Sequence, residues 1–230
     1  MSHRGVIYLV WNRPAIEDEL QVSIRSVERI GLPYHVFEGD SSGDDWSRNH
    51  SQKASIYDLS PFEETLFLDS DTEVLGDDLS FGFDKAARHG IAMCFNPACL
   101  ACRSGNRGGF SPHAIEYNTG VIFFRKSPDV QAVFEAWKRH IHLTDADQPG
   151  FAKAMDETGF NPFVLPNNWN YRAGQDHQCF GPVNIWHSRR AIPRKWDNRK
   201  VDYKLFPREY SIKSLKRRIK RLLKISRGQG

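Results

Sequence analysis

Apolar residues in the N-terminal part of the chain fall into short continuous runs separated by a stretch of helical period. Gly5 to Val10 (Gly-Val-Ile-Tyr-Leu-Val) predicts a first strand, and Trp11-Asn12-Arg13-Pro14 a loop. Ile16, Leu20, Ile24, Val27 and Ile30 then recur at helical spacing and are stopped by Gly31 and Pro33. Tyr34 to Phe37 predicts a second strand, ended by Gly39-Asp40-Ser41-Ser42-Gly43. This β-α-β order implies a largely parallel sheet with a right-handed crossover. Ser47 to Leu59, carrying Lys53, reads as another helix before Pro61 and the run Leu66-Phe67-Leu68. So short an apolar run is typical of a strand buried on both faces.

Further on, Ile91 to Phe95 predicts a short strand, and Asn96 to His113 a Gly-, Pro-, Ser-, Arg- and Cys-rich loop of the length that is usually either functional or disordered. Tyr117-Asn118-Thr119-Gly120 reads as a polar turn entering the apolar strand Val121 to Phe124. Ser127-Pro128-Asp129 opens a helix with a cap and an N1 proline, and Val130, Val133, Phe134, Trp137 and Ile141 form its apolar face. Asp145 to Pro149 begins a helix that runs to Gly159. Leu165 to Asn170 is a polar loop around Trp169, and Val183 to His187 a last strand ending on a histidine. The fold class expected is α/β, a single domain over residues 1–207 with a mostly parallel central sheet flanked by helices.

The third strand ends in Asp69-Ser70-Asp71. In open α/β sheets, ligands bind just beyond the carboxyl ends of strands. If the strand continued, Asp69 and Asp71 would share a side, where two hard oxygens suit a divalent cation such as Mn2+ or Mg2+. A tight turn is the competing explanation, since aspartates favour turns for their own backbone hydrogen bonds. Neither a Gly-x-Gly-x-x-Gly after the first strand nor a Walker-type loop is present, which disfavours dinucleotide oxidoreductases and P-loop kinases.

Composition changes this picture in two places. The chain has 230 residues, 40% hydrophobic and 26% charged, an ordinary globular balance. Its net charge of +4 hides an asymmetry: from Arg208 onward there are nine Lys or Arg and one Glu, so residues 1–207 carry −4. An acidic body gives nucleic-acid binding no support. The tail, 208–230, alternates Ile212, Leu215, Ile219, Leu222, Leu223 and Ile225 with Lys and Arg at helical period. That is the pattern of a basic amphipathic helix, with 211–226 expected on an anionic membrane surface or, alternatively, packed on the body or a partner. No apolar stretch approaches the roughly 20 residues of a membrane span, and the N-terminus lacks a signal-peptide pattern. The expected location is therefore cytoplasmic, peripheral on the inner membrane face. Of four cysteines, Cys99 and Cys102 with His113 lack the second pair that a zinc site would need.

Lys53, Leu59-Ser60-Pro61-Phe62-Glu63 and Leu68-Asp69-Ser70-Asp71 together resemble the metal-binding centre of A-type glycosyltransferases. Tyr117-Asn118-Thr119-Gly120-Val121, Asp147-Gln148, Leu165-Pro166 with Trp169-Asn170, and Ile185-Trp186-His187 follow in that family's order. Over residues 5 to 190 the chain is most similar to glycosyltransferase family 8, the glycogenin-like enzymes, and to related bacterial sugar transferases. The resemblance implies transfer of a sugar, with retention, from a nucleotide-diphospho-sugar donor (usually a UDP-sugar) to a glycan or lipid-linked acceptor. It implies Asp69, Asp71 and His187 as ligands to Mn2+ or Mg2+. It also implies Lys53, Asn118, Trp169 and Asn170 around the donor, and Asp147 with Gln148 at the sugar. The family normally follows its histidine with a glycine and then Lys-Pro-Trp. Here Ser188-Arg189-Arg190-Ala191 stands instead, with Lys195-Trp196 beyond.

The chemistry is coherent by itself. Breaking a sugar–phosphate bond puts charge on the diphosphate, which a cation stabilises, and leaves an oxocarbenium-like carbon, for which Asp147 is the candidate carboxylate. Each assignment has a structural competitor. His187 could be a core histidine, Lys53 a solvated charge, Asp147 a helix N-terminal charge, Asn118 to Gly120 a turn and Trp169 core. Two other functions compete: a haloacid-dehalogenase-type phosphatase, which also places Asp-x-Asp after a strand, and a non-catalytic module of the same fold that binds a membrane or partner. Sugar-1-phosphate nucleotidyltransferases share the A-type fold but need glycines in the first loop, which Trp11 to Pro14 lacks.

Overall fold

The computed structural model describes residues 3–11, 13–39, 51–96, 115–141, 147–172 and 181–187. The first apolar run is β1 (Arg4–Val10), the periodic stretch α1 (Arg13–Arg29), and the next run β2 (Tyr34–Glu38). Of the helix expected from Ser47, the described part is a 3-10 turn (Gln52–Ser55) running into α2 (Ile56–Leu59). Then come β3 (Glu64–Leu68), β4 (Thr72–Val74), α3 (Ser80–His89), β5 (Ile91–Phe95), β6 (Tyr117–Arg125), α4 (Pro128–His140) and α5 (Asp147–Thr158). The last elements are β7 (Phe163–Val164), a 3-10 turn (Asn167–Trp169), β8 (Tyr171–Arg172) and β9 (Ile185–His187).

Six strands form the main sheet in the order β2-β1-β3-β6-β5-β7. β1 runs parallel to β2 and β3, and β5 parallel to β7. β6 alone is reversed, antiparallel to β3 and to β5. The sheet is thus mostly parallel, as expected, with one reversed strand through its middle. Alternation divides its side chains between two cores. Ile7, Phe67, Ile122 and Phe124 face Val133, Phe134 and Trp137 of α4 and Phe151 of α5. Val6, Leu66, Leu68, Val121 and Phe123 face Leu20, Ile24 and Val27 of α1 and Phe83 of α3. Every one of these except Ile24 is at most 1% exposed, and full burial of such a side chain contributes about 1.5–3 kcal/mol. The Ser127 cap of α4 is present, its hydroxyl accepting from Val130 N.

Three strands, β4-β9-β8, make a second, small sheet beyond the carboxyl end of β3. β4 and β9 are antiparallel and pair Thr72 with His187; β8 and β9 are parallel and pair Arg172 with His187.

Two sequence readings need correction. Asn118 and Thr119 are not in a turn but inside β6, buried, where their polar groups find partners. Asp69 and Asp71 do not share the face of a strand: β3 ends at Leu68, and both lie in the turn that leads to β4. The helix α3 was not visible in the hydrophobic pattern, because its buried face is only Gly82, Phe83 and Ala86. The loop from residue 97 to 114 with Cys99, Cys102 and His113 lies outside the described residues. So do Ser188 to Arg190, Lys195 and the tail 208–230 with its domain boundary.

Candidate active site

The turn after β3 is fixed from three sides. Asp69 N donates to Gly120 O at 2.8 Å, adding one rung to the β3–β6 ladder. Thr72 closes the turn by giving both its N–H (3.2 Å) and its hydroxyl (2.7 Å) to Asp69 O. Because the Thr72 hydroxyl proton is committed there, its oxygen accepts from Ser23 (3.1 Å), and Ser23 in turn accepts from the Tyr8 phenol (3.0 Å). A one-way chain of hydroxyls, Tyr8 to Ser23 to Thr72 to Asp69 O, ties the turn to β1 and α1. Burial pushes the Tyr8 phenol well above its ordinary pKa, so it stays protonated and donating. Ser26 completes the bracing by accepting from Val74 N at 2.9 Å.

Pairing in the small sheet carries His187 to this turn. Its Nε2 lies 3.3 Å from Asp71 Oδ1 and 3.7 Å from Asp69 Oδ2, and the residue is 1% exposed. The neighbours of the ring settle its tautomer. Gly120 N donates to Asn118 Oδ1 at 3.0 Å, which marks that atom as oxygen. Asn170 Nδ2 donates to the same oxygen at 2.9 Å, so Asn170 Oδ1 is the atom facing His187 Nδ1 at 2.7 Å. Nδ1 therefore carries the proton and Nε2 presents its lone pair to the carboxylates. Arg172 Nη1 donates to that nitrogen at 2.8 Å.

A second charged cluster stands beside the first. Lys53 Nζ bridges Asp69 Oδ1 (2.8 Å) and Asp147 Oδ2 (2.9 Å) and lies over the Phe67 ring. Burial opposes its charge, but Asp147 and Asp69 outweigh that and hold the ammonium above the ordinary lysine pKa. Asp147 opens α5, is 6% exposed, and accepts from the Thr119 hydroxyl at 2.6 Å; its carbonyl accepts from the Trp137 indole at 3.0 Å. Next to it, Gln148 buries its side-chain oxygen with no hydrogen-bond partner among the described residues. That is an acceptor placed to receive a donor that the chain itself does not supply.

The structure thus brings Lys53, Asp69, Asp71, Asn118, Asp147, Asn170 and His187 into one connected group. Trp169 is elsewhere in character: 7% exposed, it meets Phe123 edge-on at 5.8 Å and packs as a core residue. The sequence marks Thr119 and Gly120 as members of the Tyr117-to-Val121 motif without a role of their own, and Arg172 and the hydroxyl chain were not anticipated. Gly120 is the floor of the site, because a Cβ there would come within 2.1 Å of His187 Cε1 and 2.6 Å of Asp69 Oδ2. An isolated glycine in an apolar strand marks close approach of something to the backbone, and that signal was in the sequence.

Asp69, Asp71 and His187 each offer a ligand atom, all within 4.8 Å of one another. Two hard oxygens and an imidazole with its lone pair presented inward fit a divalent ion of the Mn2+ or Mg2+ type.

No protein-family profile matches this chain, and no curated protein matches it in sequence. Its fold does match solved structures. Mouse xyloside xylosyltransferase 1 superposes with a TM-score of 0.55 at 14% identity over 83% of this chain and 99% of that one. The galactosyltransferase LgtC, solved with donor and acceptor sugar analogues, gives 0.53 at 12% identity over 80% and 86%. The bifunctional glycosyltransferase WbbM gives 0.54 at 17% identity over 75% of this chain and 40% of its own. The fold is that of the A-type glycosyltransferases. Within this chain the Asp69-Ser70-Asp71 turn follows the third strand of that fold, after a complete β-α-β unit.

Proposed function

We propose that the protein is a metal-dependent glycosyltransferase that moves a sugar from a nucleotide-diphospho-sugar, a UDP-sugar in the first instance, to a hydroxyl of a glycan or lipid-linked acceptor. The observation that carries this reading is the joining of two clusters through Lys53. The Asp69, Asp71 and His187 set suits a cation, and a buried carboxylate, Asp147, stands beside it. Xyloside xylosyltransferase 1, LgtC and WbbM support the reaction class by their fold and names.

Asp69, Asp71 and His187 would hold Mn2+ or Mg2+. Such an ion neutralises charge on a departing diphosphate and orients it. The chain's own residues divide the remaining tasks. Asn170 and Asn118 keep His187 in one tautomer. Lys53 fixes the distance between the metal-facing carboxylate and Asp147. Asp147 Oδ2 accepts from Thr119 and Lys53, which fix the carboxylate beside the metal-facing set. It therefore favours the cationic anomeric carbon by charge, while the bond to the diphosphate breaks, the bond to the acceptor oxygen forms and the acceptor hydroxyl proton passes to the departing diphosphate oxygen. Gln148 Oε1 is positioned to accept from a sugar hydroxyl. Retention of anomeric configuration is the outcome that the family 8 resemblance implies.

The basic arc at 211–226 would hold the protein to an anionic membrane on the cytoplasmic face, within reach of a lipid-linked acceptor. No helix among the described residues is long and apolar enough to cross a membrane. Removing 208–230 should release the protein from anionic vesicles at moderate salt; unchanged sedimentation with them would reject the anchor.

The direct test is a panel of nucleotide sugars with and without Mn2+ or Mg2+, read as released nucleoside diphosphate. Release should depend on the ion and be abolished in Asp69→Ala and Asp71→Ala. Release of inorganic phosphate alone, or full activity in either variant, overturns the proposal. Metal-dependent UDP binding without turnover on any donor would identify a binding module.

A further inference from the structure

We propose that Arg172 competes with the divalent cation for His187 and, once displaced, binds the diphosphate of the donor. This role rests on the metal and nucleotide reading above.

The first step is stoichiometric. The Asn118–Asn170 chain commits the Nδ1 proton of His187, so the imidazole has one lone pair, on Nε2. Arg172 Nη1 is 2.8 Å from that nitrogen and 3.4 Å from Nδ1. Asp71 Oδ1 and Asp69 Oδ2 converge on the same nitrogen. One lone pair cannot serve a guanidinium and a cation together. A guanidinium does not lose its proton in proteins, so Arg172 must yield by moving.

The second step is electrostatic. Among the described residues, Asp69, Asp71 and Asp147 stand with Lys53 and Arg172, a balance of one formal negative charge. A divalent ion reverses that sign, and a displaced guanidinium beside it is repelled until an anion intervenes. A diphosphate is the anion whose paired oxygens match the planar fork of arginine. Strand pairing limits how far Arg172 can go. It is in register with His187 across β8 and β9, so its backbone remains beside the site whichever partner the side chain takes.

The consequence is coupling. The ion alone must pull Arg172 from His187 without compensation, whereas an ion arriving with a diphosphate supplies the replacement partner. By linkage, each ligand then strengthens the other through this side chain.

The experiment is calorimetric titration of the whole protein with Mn2+ alone, and with UDP at saturating Mn2+, in the wild type, Arg172→Gln and Arg172→Lys. Removing a competitor worth one hydrogen bond should tighten Mn2+ binding by Arg172→Gln about three- to tenfold. Losing a charge-assisted phosphate contact should weaken UDP by about tenfold or more. Arg172→Lys, which keeps the charge but not the fork, should bind UDP with intermediate affinity. Weaker Mn2+ binding in Arg172→Gln would make Arg172 a support of His187 and overturn the competition. Unchanged UDP affinity at saturating Mn2+ would overturn the phosphate role. A wild type that takes up neither Mn2+ nor UDP refutes the donor reading, whereas a wild type that binds both with no change in Arg172→Gln refutes only this inference. Thermal melting of each variant separates misfolding from these outcomes.

Discussion

The two sheets of this molecule are built from different material and bear different loads. The six-stranded sheet is lined on both faces by large apolar side chains that are almost wholly buried, and its stability comes from that burial. The three-stranded sheet consists of strands of two and three residues. Val74 of β4 and Ile185 of β9 anchor it in one of the large sheet's two cores. What it does is place His187 and Arg172 against a turn that the large sheet has already fixed. Stability and chemistry are thereby separated in space but joined at one seam, where Gly120 of β6 meets His187 of β9 and Asp69 of the turn. The division teaches where substitutions should damage binding without damaging the fold, and the reverse.

Gly120→Ala should give the largest effect on binding. The added carbon, 2.1 Å from His187 Cε1, displaces either the ring or Asp69. Loss of Mn2+ affinity should exceed the about 100-fold upper end seen when only a supporting partner is lost. Because the clash falls on the small sheet, the thermal melt should move far less than in Phe67→Ala, which opens a core cavity at about 3–5 kcal/mol. A Gly120→Ala protein with wild-type Mn2+ affinity would dissolve the seam.

Lys53→Met comes next and tests whether the seam is also electrostatic. It leaves Asp147 buried and facing Asp69 without the bridging ammonium, a loss of about 3 kcal/mol or more. The sign of the pH dependence follows from the raised pKa of Lys53. Its contribution is fully present below the ordinary lysine value of 10.5 and is lost as pH rises through the higher folded value. Between neutrality and that range, the stability difference between wild type and Lys53→Met should therefore be flat with respect to this lysine. A difference that disappears on going from acid to neutral pH would place the pairing elsewhere.

The same division explains how much was legible in the sequence. Strands β1, β2, β3, β5 and β6 of the large sheet announce themselves as apolar runs, and α1 and α4 by clear helical period, because burial requires those patterns. β4, β7 and β8 are too short to carry any period, and although Val183 to His187 reads as a strand, nothing local reveals that Thr72 and Arg172 each pair with His187. Asn118 and Thr119 misled for a related reason: polar residues before an apolar run imitate a turn, yet here they are strand residues whose side chains serve His187 and Asp147. The bridge from Lys53 to Asp147 joins residues far apart in the chain, and no spacing rule reaches that distance. The Asp-x-Asp pair was legible as chemistry but not as geometry. A turn and a small sheet, rather than strand alternation, bring its carboxylates to the histidine.

Asn170→Ala should have a moderate effect, confined to the small sheet. Removing the acceptor of the Nδ1 proton frees His187 to adopt the other tautomer, which points a proton at the metal-facing carboxylates. A loss of about 10- to 100-fold in Mn2+ affinity is expected, as for supporting partners of ligating histidines. Its calorimetric titration should show the deficit, with a melting curve close to wild type. Undiminished affinity would mean that the strand pairing alone orients the ring.

The smallest effect should come from Tyr8→Phe, which cuts the hydroxyl chain at its far end inside the large sheet. The phenol is wholly buried and its proton goes to Ser23, so the substitution removes one internal hydrogen bond and leaves the aromatic volume in place. A stability loss of about 1 kcal/mol is expected, measurable by denaturant titration. Ser23 can still donate to Thr72, and Thr72 still closes the turn with two bonds to Asp69 O. Mn2+ affinity should accordingly change less than in Asn170→Ala. If Tyr8→Phe instead loses as much Mn2+ affinity as Asn170→Ala at undiminished stability, the chain of hydroxyls positions the carboxylates. The boundary between the sheet that stabilises and the sheet that binds then lies at β1 rather than at Gly120.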